Sequence, residues 1–490
     1  MSSNELDGIA AETELPATVS PPPPPPPLSR RRFLLRSTAG AAAVLSGRAS
    51  AQVTTGNPAQ VTPPVCTTVP DTPTPVRPDP QQASHVFSAP ETVLAFRNHG
   101  MQAELLSEPI TPLGCHYLLV HFDIPMLRAD GYSVAIDGRV RHPTRLMLDD
   151  IKSMPKTIQA VTMECAGTGR STLHPRAVYV PWFKEAIGTY QWGGTKLRPL
   201  LERAGLLDDS VEILFTGWDS GIDLGVEHAF ERSLPVAEAL RDEVMLAWEA
   251  NDQALLPQHG FPLRLVVPHW YGMASVKWLR AITVLNEPFK GIEQERVYRY
   301  QQVRGERGEP VQVKRVQSVM KPPGIPDLVT RQRFVSPGRH TLEGMAWSGS
   351  GRIVGVQVST DGAKTWRNAE LVHSLKDRFA WTQWRFPWSV DEPGDYMLAC
   401  RATDEAGDQQ PVDPNVRWNR QGMGVNGVQQ IRVTVQEGIG GAAVNVPSKA
   451  RVAVEGAEAP PIPKVSNSMA ELRNMDNHNH HFHNHRNRRQ

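Results

Sequence analysis

The stretch Met163-Glu-Cys-Ala-Gly-Thr-Gly-Arg170 sets a thiol between an acid and a run of small residues, with a cation closing the run. Ala166, Gly167, Thr168 and Gly169 leave no bulk over the sulfur of Cys165. The preceding residues 158–163 read as a short strand, so the thiol stands where a strand enters a bare loop. Such a loop suits close approach by something large. Arg170 favours the thiolate, the form that binds metals or attacks carbon. The same residues equally describe an ordinary buried cysteine beside a Gly-rich turn. The rest of the chain must decide.

Other residues able to do chemistry lie far away in sequence. Phe96-Arg97-Asn98-His99 places Arg97 and His99 two apart, so on an extended segment both point the same way. Asp219 sits in a Gly-Trp-Asp-Ser turn, where an aspartate by default bonds its own backbone. His259 and Arg264 flank a turn and a strand, and Ser275-Val276-Lys277 follows shortly after. Trp182 follows a proline and reads by itself as core; Arg378 reads by itself as a surface or sheet-edge charge. Cys66, Cys115 and Cys400 are widely spaced, so their disulfide pairing stays open; no CxxC pair or CxxCH haem-attachment motif occurs. Neither GxGxxG after a strand nor a Walker-type loop is present, which argues against nucleotide binding.

The elements that must hold these residues fall into blocks. The chain has 490 residues, a formal net charge of +1 and 40% hydrophobic residues, so it can fill more than one core and implies no nucleic-acid partner. Residues 1–51 read as a disordered leader with seven consecutive prolines, Pro21–Pro27. Within it, Ser29-Arg-Arg-Arg-Phe-Leu-Leu-Arg36 precedes a short Ala-rich run and the small-x-small site Ala49-Ser50-Ala51. That is the layout of a twin-arginine export signal, with an apolar run too short to span a bilayer. This route exports folded proteins with cofactors already inserted, so a periplasmic protein without membrane insertion is expected. Residues 52–87 read as a disordered linker.

Residues 88–306 alternate short strands and helices with long loops, the mark of a mixed α+β domain. Strands are expected at 132–138, 211–216, 263–267 and 281–285, and helices at 146–153, 196–204 and 233–240. The polar, Pro/Gly-rich stretch 307–328 reads as a linker. From 329 to 436 strands with period-two alternation, as in Val354, Val356 and Val358, predict an immunoglobulin-like β-sandwich. The tail 437–490 reads as disordered; its His-rich end suits loose transition-metal binding or simple solvation.

Taken together, the export signal, Glu-Cys-Ala-Gly-x-x-Arg, His-Gly-Phe-Pro-Leu-Arg and Val-Lys-Trp-Leu occur in the order of a known family. Across about residues 88–436 the chain resembles the molybdopterin-dependent sulfite oxidases, with the sandwich where that family has its dimerisation domain. The resemblance implies that Cys165 ligates molybdenum, with one pterin dithiolene supplying further sulfurs. It implies cofactor contacts from Phe96, Asn98, His99, Asp219, His259, Arg264, Ser275, Val276 and Lys277. It implies that Arg97, Arg170, Arg378 and Trp182 form the substrate pocket, with Tyr298 or its near neighbour Tyr300 as the active-site tyrosine. Sulfite becomes the expected substrate, with no haem in this chain, a c-type cytochrome as acceptor and a homodimer through the sandwich. The loop departs from the family's animal members at Thr168-Gly169, leaving Arg170 as its one cation. Two other readings remain: a sulfane-sulfur dehydrogenase acting on a carrier-bound sulfur, and an exported binding protein without activity.

Overall fold

The computed structural model describes residues 89–439, except 178, 304 and 374. The expected leader, the linker 52–87 and the His-rich end of the tail lie outside the described residues. Among the described residues no helix is long and apolar enough to cross a membrane. The architecture is α+β and dominated by sheet, as the sequence pattern implies.

Two five-stranded sheets build the first half. In one, Ser133–Gly138 pairs in parallel with Leu279–Leu285, and antiparallel with Thr144–Met147. Leu279–Leu285 in turn carries the long hairpin Glu212–Asp223/Val226–Pro235. Val134 and Ile136 alternate inward on the first strand, as a half-buried strand requires. In the other sheet, Thr157–Glu164 pairs with Ile187–Lys196, which pairs with Met245–Ala250; Arg264–Val266 continues the order.

Ile187–Lys196 is buried on both faces, and its Gly, Thr, Tyr and Trp content hides it from a search for alternation. Its glycines have a steric reason. A Cβ at Gly188 would stand 2.4 Å from the His116 ring, and one at Gly194 only 2.0 Å from the Leu246 carbonyl. The expected helix at 146–153 is shorter, Leu148–Lys152, because Thr144–Met147 is strand. The expected helix at 233–240 shrinks to Val236–Ala239, because Ser233 and Leu234 complete the hairpin's ladder.

The stretch read as a linker, 307–328, is not one throughout. Gln317–Met320 is a fully buried strand paired with Gly338–Trp347, and Val311, Lys314 and Val316 are buried beside it. Its polar composition hid this, because Lys314 and Gln317 are polar residues spent in the interior. Gly338–Trp347 pairs onward with Thr382–Val390, and that strand with Glu370–Val372. A second sheet runs Ile325–Pro326, Arg333–Val335, Gln429–Val435, Gly394–Asp404, Ile353–Ser359, Arg367–Asn368. Trp384, Phe386 and Trp388 alternate inward to meet Val356, Val358, Leu398, Cys400 and Val433. Each such side chain contributes roughly 1.5–3 kcal/mol of burial.

The sandwich also grips the strand that leads to Cys165. Thr162 donates its N–H to Phe379 O at 3.0 Å and accepts Trp381 N–H on Oγ1 at 2.7 Å. Gly424 N–H donates to Ala166 O at 2.6 Å. The thiol loop is thus held by residues more than two hundred positions downstream.

Candidate active site

Thr157–Glu164 ends at Cys165, whose N–H donates to Ala186 O at 2.9 Å. The loop then closes on itself: Thr168 N–H reaches Cys165 O and Arg170 N–H reaches Gly167 O, both at 3.0 Å. Gly169 adopts φ +83°, a left-handed conformation that favours glycine. The Gly167 N–H points at the sulfur, 3.4 Å away. Cys165 is 7% exposed, and burial pushes its thiol pKa up despite the opposing pull of Arg170 and the Gly167 N–H. In the ligand-free chain the cation beside the thiol therefore does not suffice to make a thiolate; a bound metal would.

The sulfur opens on a narrow cleft. Its walls come from four places: the Cys165 loop with Met163, the segment 116–121, Asp219 and Phe230 of the hairpin, and the residues from His259 to Lys277 with Tyr298. Arg264 is fixed by donating to His259 O and Ser275 O, both at 2.9 Å, and lies 4.8 Å over the Trp192 ring. Lys277 donates to Leu119 O at 2.9 Å and Gln258 O at 3.1 Å. Burial and then Arg264 lower Lys277 to about 7, against the pull of Asp219. Burial raises Asp219 to about 6, while Lys277 opposes. Burial lowers His116 to about 3 and His259 to about 2, so both imidazoles are neutral.

Two buried polar atoms on these walls have no protein partner, His116 Nε2 and Asp219 Oδ1. Unpartnered atoms also occur elsewhere, on Ser318 and Trp384, so the feature alone marks nothing. Here it coincides with two cations, two neutral imidazoles and a thiol around one cleft. That donor set fits a group with soft sulfur near Cys165 and polar, anionic parts toward Arg264 and Lys277. A molybdenum–pterin dithiolene with its phosphate is such a group.

Of the expected site residues, the structure brings Cys165, Asp219, His259, Arg264, Ser275, Lys277 and Tyr298 to one cleft. Ser275 contributes through its carbonyl, because its hydroxyl accepts Val267 N–H at 3.0 Å. Val276 is core. Tyr298 rather than Tyr300 faces the cleft, its hydroxyl 2.6 Å from His121 Nε2. Tyr300 lies under Arg315 at 4.5 Å, against Gly424.

Several expected residues are not brought there. Ala89–Arg97 is a helix, so the extended segment assumed for Arg97 and His99 does not exist. Phe96 is 88% exposed. The Arg97 guanidinium donates to Phe122 O at 2.5 Å and faces Asp123 at 3.7 Å. Asn98 spends its amide on Leu94 O and Val120 N–H, and His99 bridges Leu118 through its backbone. This segment braces 116–121 and is absent from the cleft lining, although His99 is near enough to His116 and His259 to add to the lowering that burial imposes on both. Trp182 is outside the cleft lining but is buried beside Cys165, its side chain near enough to pull the thiol pKa down against burial. Arg170 is 4% exposed, and its guanidinium is turned to Gln421 O at 2.7 Å and Val180 O at 2.8 Å. Arg378 is also outside the cleft lining: its side chain is 53% exposed and pairs with Glu405 at 3.2 Å. It sits at a loop whose backbone, not its side chain, braces the Cys165 strand.

His116, Tyr117, His121 and Phe230 line the cleft and escaped the sequence reading. Only His116 and Tyr117 left a trace: Gly188 lacks a side chain where His116 packs, and Gly272 where the Tyr117 hydroxyl does. Cys115, Cys165 and Cys400 are free, so no disulfide joins the described cysteines.

Comparison with known proteins follows the same two halves. Residues 121–293 match the oxidoreductase molybdopterin binding domain, and residues 309–436 the Mo-co oxidoreductase dimerisation domain. The chain is 30% identical to sulfite oxidase of Arabidopsis thaliana over 366 residues, covering 67% of this chain and 89% of that protein. The chain belongs to the sulfite oxidase family. Sulfite oxidase of Gallus gallus is 32% identical over 66% of this chain and 72% of its own. Against mitochondrial sulfite oxidase of Mus musculus the identity is 32%, and the match spans 63% of that longer protein. Among solved structures, the sulfane dehydrogenase SoxCD from Paracoccus pantotrophus matches with TM-score 0.60 and 28% identity, over 69% of this chain and 86% of that one. Membership makes this chain an oxidoreductase of the sulfite oxidase type and sets aside the reading of an inactive binding protein.

Proposed function

We propose that this protein oxidises sulfite to sulfate with a molybdenum cofactor, and passes the electrons to an external acceptor such as a c-type cytochrome. The observation that carries the reading is Cys165 opening, in a loop without bulk, on a cleft lined by Arg264, Lys277, His259 and two unpartnered polar atoms. When bound, the molybdenum–dithiolene centre supplies the two-electron redox change and the oxygen-atom transfer. The chain's own residues do the rest. Cys165 is the metal ligand, and the Gly167 N–H stabilises its charge. Arg264 and Lys277 would hold the anionic part of the cofactor, and His116, His259 and Asp219 would bond its polar atoms. Tyr298, steadied by His121, offers a hydroxyl toward the substrate. Arg170 contributes positive charge beside the sulfur in a low-dielectric setting, which favours a dianionic substrate. Sulfite and water give sulfate, two protons and two electrons.

The twin-arginine layout supports export of the folded protein to the periplasm, and the dimerisation-domain match supports a homodimer through the sandwich. A second reading, sulfane-sulfur dehydrogenation on a carrier, is supported by the likeness to SoxCD. Metal analysis and steady-state assays on the protein produced with its signal intact separate the two. Stoichiometric molybdenum with sulfite-dependent reduction of ferricyanide or cytochrome c is the expected result. Full metal loading without turnover at millimolar sulfite favours the carrier-bound substrate. Absence of molybdenum defeats both readings.

A further inference from the structure

Beside the cleft lies a second concavity that the proposed chemistry does not use. Two adjoining grooves, each of about 1700 Å³, share Glu306, Arg307 and Trp418. Two of their three carboxylates are spent within the protein, while Glu309 is exposed and has no ion pair among the described residues. Glu295 takes Arg307 at 3.1 Å and Arg299 at 3.6 Å, and Glu306 accepts the N–H groups of Gln302 and Val303 at 2.6 and 3.2 Å. Arg296, Arg417 and Arg420 are exposed, and among the described residues none has an ion-pair or hydrogen-bond partner for its guanidinium. Between them stand half-buried Trp418, held by its indole N–H on Pro175 O at 2.8 Å, and the exposed aliphatics Leu224 and Val416. Unpaired arginines around an anchored tryptophan with aliphatic neighbours are the composition of a protein interface centre. The grooves are far larger than a small oxyanion needs.

The position adds a second argument. One groove has Tyr179 and Gln421 in its lining. Arg170 lies 5.2 Å over the Tyr179 ring and donates to Gln421 O. Whatever occupies the groove therefore rests one residue layer from Arg170, and Arg170 in turn neighbours Cys165.

We propose that these grooves dock a protein partner through an acidic face, with carboxylates flanking an apolar residue that packs on Trp418. Docked there, the partner sits over the Cys165 loop. Its role as electron acceptor rests on the function proposed above, whereas the docking does not.

The test uses the full-length, metal-loaded protein and a fluorescein-labelled twenty-residue peptide of glutamates interspersed with leucine. Anisotropy should show saturable binding at low salt that weakens as salt rises. The double variant Arg417→Glu/Arg420→Glu should weaken binding by about tenfold or more. Arg339→Glu/Arg432→Glu makes the same change in net charge on exposed positions of the sandwich and should leave it within about twofold. A matched glutamine peptide should not bind. Equal loss in both double variants would mean attraction to overall charge, and the proposal would be wrong. It would also be wrong if sulfate bound in titration calorimetry, dependent on Arg417 and Arg420, while the peptide did not. Circular dichroism checks that the variants fold, and Arg417→Gln/Arg420→Gln should give an intermediate loss. Peptide binding is read without turnover, so an inactive but binding protein would count against the proposed reaction alone.

Discussion

Two buried polar clusters meet at the end of strand Thr157–Glu164, and they differ in what they leave undone. On the sandwich side, Glu164 accepts Trp347 Nε1–H at 2.8 Å and Gln317 Nε2–H at 3.1 Å. Lys184 donates to Gly427 O at 2.7 Å, and Lys314 to Thr162 O. None of these side chains keeps an unpartnered polar atom. One residue on, the cleft facing Cys165 keeps two, His116 Nε2 and Asp219 Oδ1, among fixed cations. Leaving a buried polar atom unpaired costs about 1–3 kcal/mol. Nearby Ser318 and Asn426 also keep unpartnered atoms, so what distinguishes the cleft is that its two coincide with Arg264, Lys277, the imidazoles and the thiol. The first cluster joins the sandwich to the Cys165 strand; the second is the proposed cofactor site.

The contrast can be broken from either side. On the cleft side the largest effect is expected from Cys165→Ser. Serine is nearly isosteric, and the loop's backbone bonds do not involve the sulfur apart from the Gly167 contact. Thermal stability of the cofactor-free protein should therefore stay within about 1 kcal/mol, as for a change that leaves no cavity. Sulfite turnover should vanish. Retention of most activity would place the metal ligand elsewhere and remove the cleft's chemical meaning.

On the other side, Lys314→Met should leave Glu164 buried without one of its compensating cations. Breaking a buried charge cluster by removing one member costs about 3 kcal/mol or more. Denaturant unfolding should show the loss, while molybdenum content per folded protein stays near that of the parent. If stability held and metal content fell instead, the two clusters would be one functional unit.

A pH measurement sharpens the distinction further. Lys277 falls from its ordinary 10.5 to about 7 in the folded chain. Between those values the folded protein binds fewer protons than the unfolded one, so stability rises with pH there. Stated from the other end, stability is full above about 10.5, declines as the pH drops toward 7, and changes no further below. Lys184 and Lys314 are lowered in the same direction, to about 8. Lys277→Met in cofactor-free protein should therefore flatten this slope without abolishing it. An unchanged slope between pH 7 and 10 would mean that Lys277 is already neutralised by a protein partner.

How much of this was legible in the sequence depends on what carries each signal. The thiol loop could be read because small residues around a cysteine are a local pattern. His259, Arg264 and Lys277 could be read only through the family resemblance of His-Gly-Phe-Pro-Leu-Arg and Val-Lys-Trp-Leu; by themselves they read as structural residues. His116 and His121 could not, since their role comes from the close approach that Gly188 permits and from the reach of Tyr298 across the fold. The sandwich could be read from alternation at Val354, Val356 and Val358; the last two are buried, but a register shift between Ile353 and Gly355 leaves Val354 exposed. Gln317–Met320 was hidden, because its polar residues serve Glu164 and not solvent. Sequence alone misjudged Arg97, which ends a helix, whereas His99 is extended and bridges Leu118.

The smallest effect separates family resemblance from geometry. Arg378 resembles a substrate arginine by position, yet its guanidinium pairs with Glu405 in the sandwich and is 53% exposed. Exposed ion pairs contribute roughly 0–1 kcal/mol. Arg378→Gln should cost under about 0.5 kcal/mol of stability and leave the Michaelis constant for sulfite unchanged within twofold. Its neighbour Phe379 braces Thr162 through the backbone carbonyl, which the substitution does not touch. A large rise in the Michaelis constant with unaltered stability would mean that the loop swings its guanidinium to the site when cofactor or substrate binds. The cleft would then extend to this loop, and the boundary drawn here between the satisfied and the unsatisfied cluster would move with it.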